Sequence, residues 1–91
     1  MTFEWDEKKR NANLQRHGLD FRDAERVFEN ETLLVIDDRF DYGEIRYVSF
    51  GMLDNIVVAL VHTGTSESIR VVSLRRATRN EEKEYFQGIR D

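Results

Sequence analysis

The chain has 91 residues and 10.8 kDa, with a formal charge of −4 from 14 Lys+Arg against 18 Asp+Glu. With 40% hydrophobic and 11% aromatic residues it is not a disordered tail, and its length is that of one domain, residues 1–91. The lack of cysteine excludes a disulfide scaffold, a thiolate metal site and a cysteine nucleophile, and without a bilayer-spanning apolar run or a signal peptide the expectation is a cytoplasmic protein with no membrane contact.

The first helix opens at Trp5-Asp6-Glu7 and runs to His17. Asp6 is its N-cap, Glu7 suits the positive end of the helix dipole, and Gly18 supplies the left-handed C-cap. Its apolar stripe is poor, only Ala12 and Leu14, so it should cover a sheet edge or a partner rather than sit in the centre. Phe3 and Trp5 read as core aromatics. Asp20 caps a second short helix, Phe21 to about Phe28, whose Phe21, Ala24, Val27 and Phe28 share one face and should pack on the sheet.

From Thr32 the period changes. Leu33–Ile36 is a strand and Asp37–Gly43 a polar loop or hairpin tip; Ile45–Phe50 is a second strand, and Gly51–Asn55 a turn. Ile56–Val61 is apolar on both faces, which marks a central strand. Gly64–Glu67 is a hairpin turn and Ser68–Leu74 a fourth strand. Thr78-Arg79-Asn80-Glu81 has the form of a capping box that opens a last helix, Arg79 to about Gln87, with Gly88 past its end. The fold class is α+β: two N-terminal helices, a four-stranded, mainly antiparallel sheet and a C-terminal helix.

Charge is segregated along this order. Residues 31–68 carry seven acids and two bases, whereas residues 69–80 carry Arg70, Arg75, Arg76 and Arg79 and no acid. A local positive patch of that kind can bind phosphate even on an acidic protein.

The pattern Phe3-Glu4-Trp5-Asp6-Glu7 with Lys9, Asn13, His17-Gly18, Phe21, Ala24 and Val27-Phe28 resembles the BrnT family of bacterial type II toxins. The second half also fits: Tyr42-Gly43-Glu44-x-Arg46, Gly51, Val61-His62-Thr63, Arg70-Val71-Val72-Ser73, Arg75-Arg76-Ala77-Thr78, Glu81 and Tyr85. Arg16 stands where the family usually carries Lys, and Leu74 where it often carries Ala. The resemblance implies a ribonuclease toxin of RelE-like fold that cleaves mRNA and inhibits translation. It also implies neutralisation by a BrnA-like antitoxin, and contact with operator DNA only through that partner.

RNA cleavage without a metal needs a base for the 2′-hydroxyl, cations for the phosphorane and an acid for the leaving 5′-oxygen. The two histidines stand apart and form no H-x-x-x-H pattern, so neither a metal nor another cofactor is expected. Arg46, Arg70 and Arg75 are the catalytic candidates, because the planar guanidinium grips phosphate oxygens and stays charged. Strict strand alternation puts Arg70 and Arg76 on one face and Arg75 on the other, so Arg70 and Arg75 share a face only if the strand bulges or ends before Arg75. The bland alternative is a set of solvated charges paired with Glu44 and Glu67. His17 closes the first helix, where the dipole favours a cation, and could be an acid or simply a good cap. His62 ends the central strand and could reach a groove or sit hydrogen-bonded and half-buried. Arg76, Arg79 and Tyr85 are RNA-binding candidates; Tyr85 can stack on a base or pack beside Phe86. The alternative function is a non-catalytic binding module, a corepressor acting with a DNA-binding antitoxin. A small-molecule enzyme is disfavoured by the small volume such a sheet can enclose.

Overall fold

The computed structural model describes residues 1–64 and 66–90. Its elements are β1 (Thr2–Glu4), α1 (Glu7–His17), a 3-10 turn (Phe21–Asp23), α2 (Ala24–Val27), β2 (Leu33–Asp37), β3 (Arg46–Leu53), β4 (Ile56–Thr63), β5 (Ser68–Arg76) and α3 (Arg79–Arg90). The order of strands across the sheet is β1-β5-β4-β3-β2. All neighbours are antiparallel except β1, which pairs parallel to β5 at Ser68–Arg70.

The sheet therefore has five strands, not the expected four. β1 is three residues long, with only Phe3 turned to the core. It is held by backbone pairing to a strand more than sixty residues away, a cause that leaves no periodicity in its own sequence. The sheet is accordingly mixed. The expected turn at Gly51 also begins later: β3 continues to Leu53, and Asp54, at φ 56°, makes the bend. The turn expected at Gly64–Glu67 includes Thr65, which lies outside the described residues.

The helix boundaries follow their caps. Asp6 accepts from the Lys8 N–H at 2.8 Å, and Gly18, at φ 70°, donates to the Leu14 carbonyl at 2.8 Å. Asp20 accepts from the Arg22 N–H at 3.0 Å, and the segment it starts winds as a 3-10 turn before α2. In the capping box, Glu81 accepts from the Thr78 N–H at 2.8 Å and its own N–H donates to the Thr78 hydroxyl at 3.2 Å. α3 does not stop before Gly88 as expected but runs to Arg90. Gly88 lies inside it, where α3 comes close to β2: a Cβ there would stand 3.1 and 3.2 Å from the two Leu33 methyls.

The sheet separates two apolar layers. Phe21, Ala24 and Val27 are fully buried against Val58, Leu60, Val71 and Leu74, with Phe3, Trp5 and Phe28 half-buried at the margin. β3 passes under α2 at Gly51, where a Cβ would meet a Val27 methyl at 2.9 Å. On the other side Tyr85 of α3 packs against Val48, Phe50, Val57, Ala59 and Val61, and its hydroxyl donates to the Glu31 carbonyl at 2.7 Å. β4, apolar on both faces as its sequence predicts, is the middle strand and feeds both layers.

α1 meets the sheet through a polar contact. β1 covers only the first three residues of β5, leaving the rest of that edge unpaired by any strand. Asn13 fills part of the gap. Its side-chain amide accepts from the Leu74 N–H at 3.1 Å and donates to the Leu74 carbonyl at 2.8 Å, as a neighbouring strand would. It also donates to the Leu19 carbonyl at 3.0 Å, and it is the one buried residue of α1. This explains why α1 docks with so poor an apolar stripe. Among the described residues no helix is long and apolar enough to cross a membrane.

Candidate active site

Strand register decides which side chains can act together. Val58, Leu60 and His62 of β4 face the layer of α2, so their partners Arg76, Leu74 and Val71 face it too. Ala59, Val61 and Thr63 point the other way, with Arg75, Ser73 and Arg70 opposite them. Between Val61–Ser73 and His62–Val71 the register shifts by one residue. That bulge is the condition under which Arg70 and Arg75 share a face, and it is met. Arg46 belongs to the same face, as neighbour of Asp37 and two residues from Val48.

α3 covers only part of this face. The remainder is a groove of about 420 Å³, with Val48, Val61 and Ser73 in its floor and Arg75, Arg39, Asp37, Asp38, Glu81 and Glu84 around it. Arg75 makes a two-pronged pair with Glu81, at 2.7 and 2.9 Å, which fixes the guanidinium plane over the groove. Because Glu81 is held in place by the capping box as well, Arg75 is positioned by a helix end rather than by a loop. Its Arg75 partner, ahead of the Thr78 N–H, holds the Glu81 carboxyl at about 2. Across the groove Asp37, its side chain buried, accepts from Arg39 at 2.9 and 3.1 Å and from the Tyr42 hydroxyl at 3.2 Å. The Arg39 bond is the main reason its carboxyl stays below the ordinary range.

Arg46 and Arg70 share the face but lie beyond the groove's lining. The Arg46 guanidinium sits 4.0 Å over the Tyr42 ring, and its buried Nε has no hydrogen-bond partner. Glu44 stands 4.0 Å from that Nε. Arg70 is half-exposed and pairs with Glu4 of β1 at 3.7 Å, not with Glu67.

The other candidates lie in different places, some off this face and some at its margin. His62 does not reach the groove: it is 1% exposed on the opposite side of the sheet. Its Nδ1 lies 3.0 Å from the Gly64 carbonyl and its Nε2 2.7 Å from the Ser49 hydroxyl, an arrangement satisfied by a neutral ring that donates from Nδ1 and accepts at Nε2. Tyr47 stacks on it at 5.8 Å and Phe28 meets it edge-on at 5.7 Å. Burial pushes its pKa down. Tyr85 is 1% exposed and cannot stack on a base. Arg76 lies on the face opposite Arg75, at the exposed end of β5. Arg79 is exposed at the start of α3. His17 is exposed at the end of α1 and lines a second groove, which shares Ser73 with the first.

Sequence reasoning did not find the structural use of Asn13, the Asp37–Arg39–Tyr42 cluster, or Lys9, which lines the second groove. The signal for the α1 residues was present in the spacing of Lys9, Asn13 and Arg16, a polar row where a docking helix normally shows an apolar one.

The fold, an α+β arrangement with a mixed sheet whose arginine-bearing face is partly uncovered, resembles that of the RelE-like toxins. The profile described as "Ribonuclease toxin, BrnT, of type II toxin-antitoxin system" matches residues 5–81, and the chain belongs to that family. Among solved structures it is similar to the ribonuclease toxin BrnT of Brucella abortus, at 30% identity and a TM-score of 0.64, over 87% of this chain and 99% of that one. No curated protein sequence gives a significant match.

Proposed function

We propose that this chain is the toxin of a type II toxin–antitoxin pair and cleaves mRNA without a metal on the open face of its sheet, so inhibiting translation. The observation that carries the reading is the β5 bulge, which sets Arg70, Ser73 and Arg75 on the face that already bears Arg46 and that α3 leaves uncovered.

In the reaction the 2′-oxygen attacks the adjacent phosphorus and the bond to the 5′-oxygen breaks, leaving a 2′,3′-cyclic phosphate and a 5′-hydroxyl. Arg75, planar and fixed by Glu81, meets the charge that builds on the phosphorane. Arg46 and Arg70 hold flanking phosphates on the same face. Glu81 and Asp37 are committed to arginines, which leaves the exposed Asp38 and Glu84 as groove carboxylates that can take the 2′ proton. With His62 sealed away, His17 is the imidazole available to return a proton to the 5′-oxygen. A BrnA-like antitoxin silences the enzyme by covering this face, and operator DNA is bound through that partner.

The test is cleavage of an mRNA, free and on the ribosome, by purified protein in excess chelator. Wild type should cut, and the Arg70→Ala/Arg75→Ala variant should lose at least about 100-fold while its circular dichroism is unchanged. In cells the wild-type chain alone should arrest growth and the partner should restore it. A folded double variant that cuts at the wild-type rate would overturn the arginine-centred mechanism. A soluble wild type that neither cuts nor arrests growth would leave the binding module as the function.

A further inference from the structure

Beside the proposed active face, on the other side of Ser73, lies a second groove of about 210 Å³ between α1 and the bulge of β5. Lys9, Arg16 and His17 line it from the helix, Val72 and Ser73 from the strand, and among the described residues no carboxylate contributes to its wall. All three basic residues are exposed, and among the described residues none has an ion-pair partner. The contrast with the neighbouring cation of the same helix is direct: Arg10 is tied to Glu7 at 3.0 Å and to Asp20 at 3.1 Å.

The placement of these charges is unusual for solvated surface residues. Lys9, Ala12, Asn13 and Arg16 follow one another at i, i+3, i+4 and i+7, so they lie on a single stripe of α1. It is the stripe by which α1 docks, since Asn13 at its middle bonds both backbone groups of Leu74. A helix face turned toward a sheet ordinarily carries apolar residues. Here the cations flank the docking amide and border a concave surface, where like charges facing one gap repel unless an anion lies between them. Ser73 lines both this gap and the arginine groove, so the two adjoin across β5; the arginine groove carries Asp37, Asp38, Glu81 and Glu84 beside Arg39 and Arg75, and the unpaired cations lie on the α1 side.

We propose that the α1–β5 groove is a second phosphate-binding subsite, which takes the backbone of the same single-stranded RNA as it leaves the arginine face. The assignment of its ligand as RNA rests on the ribonuclease reading above. Lys9 and Arg16 act on substrate binding and not on the chemical step, raising affinity for strands long enough to cross Ser73.

The experiment uses the full chain and a single-stranded 2′-O-methyl RNA oligonucleotide, which binds but cannot be cut, read by fluorescence anisotropy across a salt series. The variant is Lys9→Gln/Arg16→Gln, which leaves His17 and every arginine of the active face in place. Its affinity should fall by about tenfold at low salt, and the slope of log K against log salt should drop by about 1.4, the value for two lost single-strand phosphate contacts. With cleavable RNA its KM should rise and its kcat stay at the wild-type value. A folded variant with wild-type affinity and salt slope would overturn the subsite and leave the ribonuclease reading intact. Wild type that binds the oligonucleotide through Lys9 and Arg16 but never cuts RNA would sink the ribonuclease reading alone. Wild type with neither affinity nor cleavage would overturn both.

Discussion

On one face of the sheet Val58, Leu60, Val71 and Leu74 are sealed beneath Phe21, Ala24 and Val27. On the other, Val48, Val61, Ser73 and Arg75 line a groove open to solvent, and α3 closes only the far end through Tyr85. The same strands supply both faces, because alternate residues point to opposite sides. Polar groups behave differently on each. On the sealed face His62 is held neutral and has a partner for each ring nitrogen. On the open face Arg75 and Glu81 are both ionised, since solvent and a two-pronged pair stabilise the charges. The sealed layer supplies the packing that lets the open face hold charge in place of an apolar cover.

The largest effect that can test this division is on the sealed side. Truncation of Phe21 to Ala should cost about 3–5 kcal/mol, because the side chain is wholly buried and the space cannot fill. In a domain this small, thermal or denaturant unfolding should show most molecules near the midpoint or unfolded. A loss below 1 kcal/mol on the order-of-magnitude scale of core truncations would mean that this layer is not the stability centre.

A middle-sized effect separates the two histidine readings. His62→Gln should cost about 1–3 kcal/mol through the Ser49 and Gly64 groups left unsatisfied, and its kcat for RNA cleavage should match wild type. A stable variant with a 100-fold slower chemical step would make His62 catalytic and break the comparison, since general acid–base groups contribute effects of about that size.

The smallest effect is in pH. His62 has its pKa depressed by burial, so the unfolded chain takes up a proton first. Its stabilisation is complete above the ordinary value of 6.5 and declines as pH falls below it. Glu81 is depressed from 4.5 to about 2, so its contribution is complete above 4.5 and is lost as pH falls through that range. With screening at a partly exposed pair, the Glu81 loss should be about 1 kcal/mol. Unfolding midpoints measured from pH 7 to pH 2 should therefore fall in two windows. His62→Gln should flatten the upper window, and Glu81→Gln should shrink the lower one, to which Asp37 and Asp20 also contribute. Loss of both windows in a single variant would show that the two faces do not titrate independently.

Much of this design is legible in the chain itself. Caps are local, so Asp6, Gly18, Asp20 and the Thr78–Glu81 box mark helix ends from side chains a few residues apart. The helical face of Phe21, Ala24, Val27 and Phe28 and the doubly apolar β4 show in periodicity, because burial repeats with the geometry of the element. The arginine segment shows in charge order, and the family pattern in residues spread from Phe3 to Tyr85.

Other features depend on contacts between distant parts of the chain. β1 exists because Thr2–Glu4 finds a backbone edge at Ser68–Arg70, and Gly88 sits inside α3 where a Cβ would crowd the Leu33 methyls. Asn13 acts as a strand substitute only where Leu74 presents an unpaired edge. A histidine at this position reads the same whether it faces a groove or a core; its neighbours Ser49, Tyr47 and Phe28 enclose it on the sealed side. The site itself turns on one register shift. Ideal alternation separates Arg70 from Arg75, and the bulge opposite Val61 and His62 brings them to one face, because an extra residue in one strand reverses the sense in which all later side chains point.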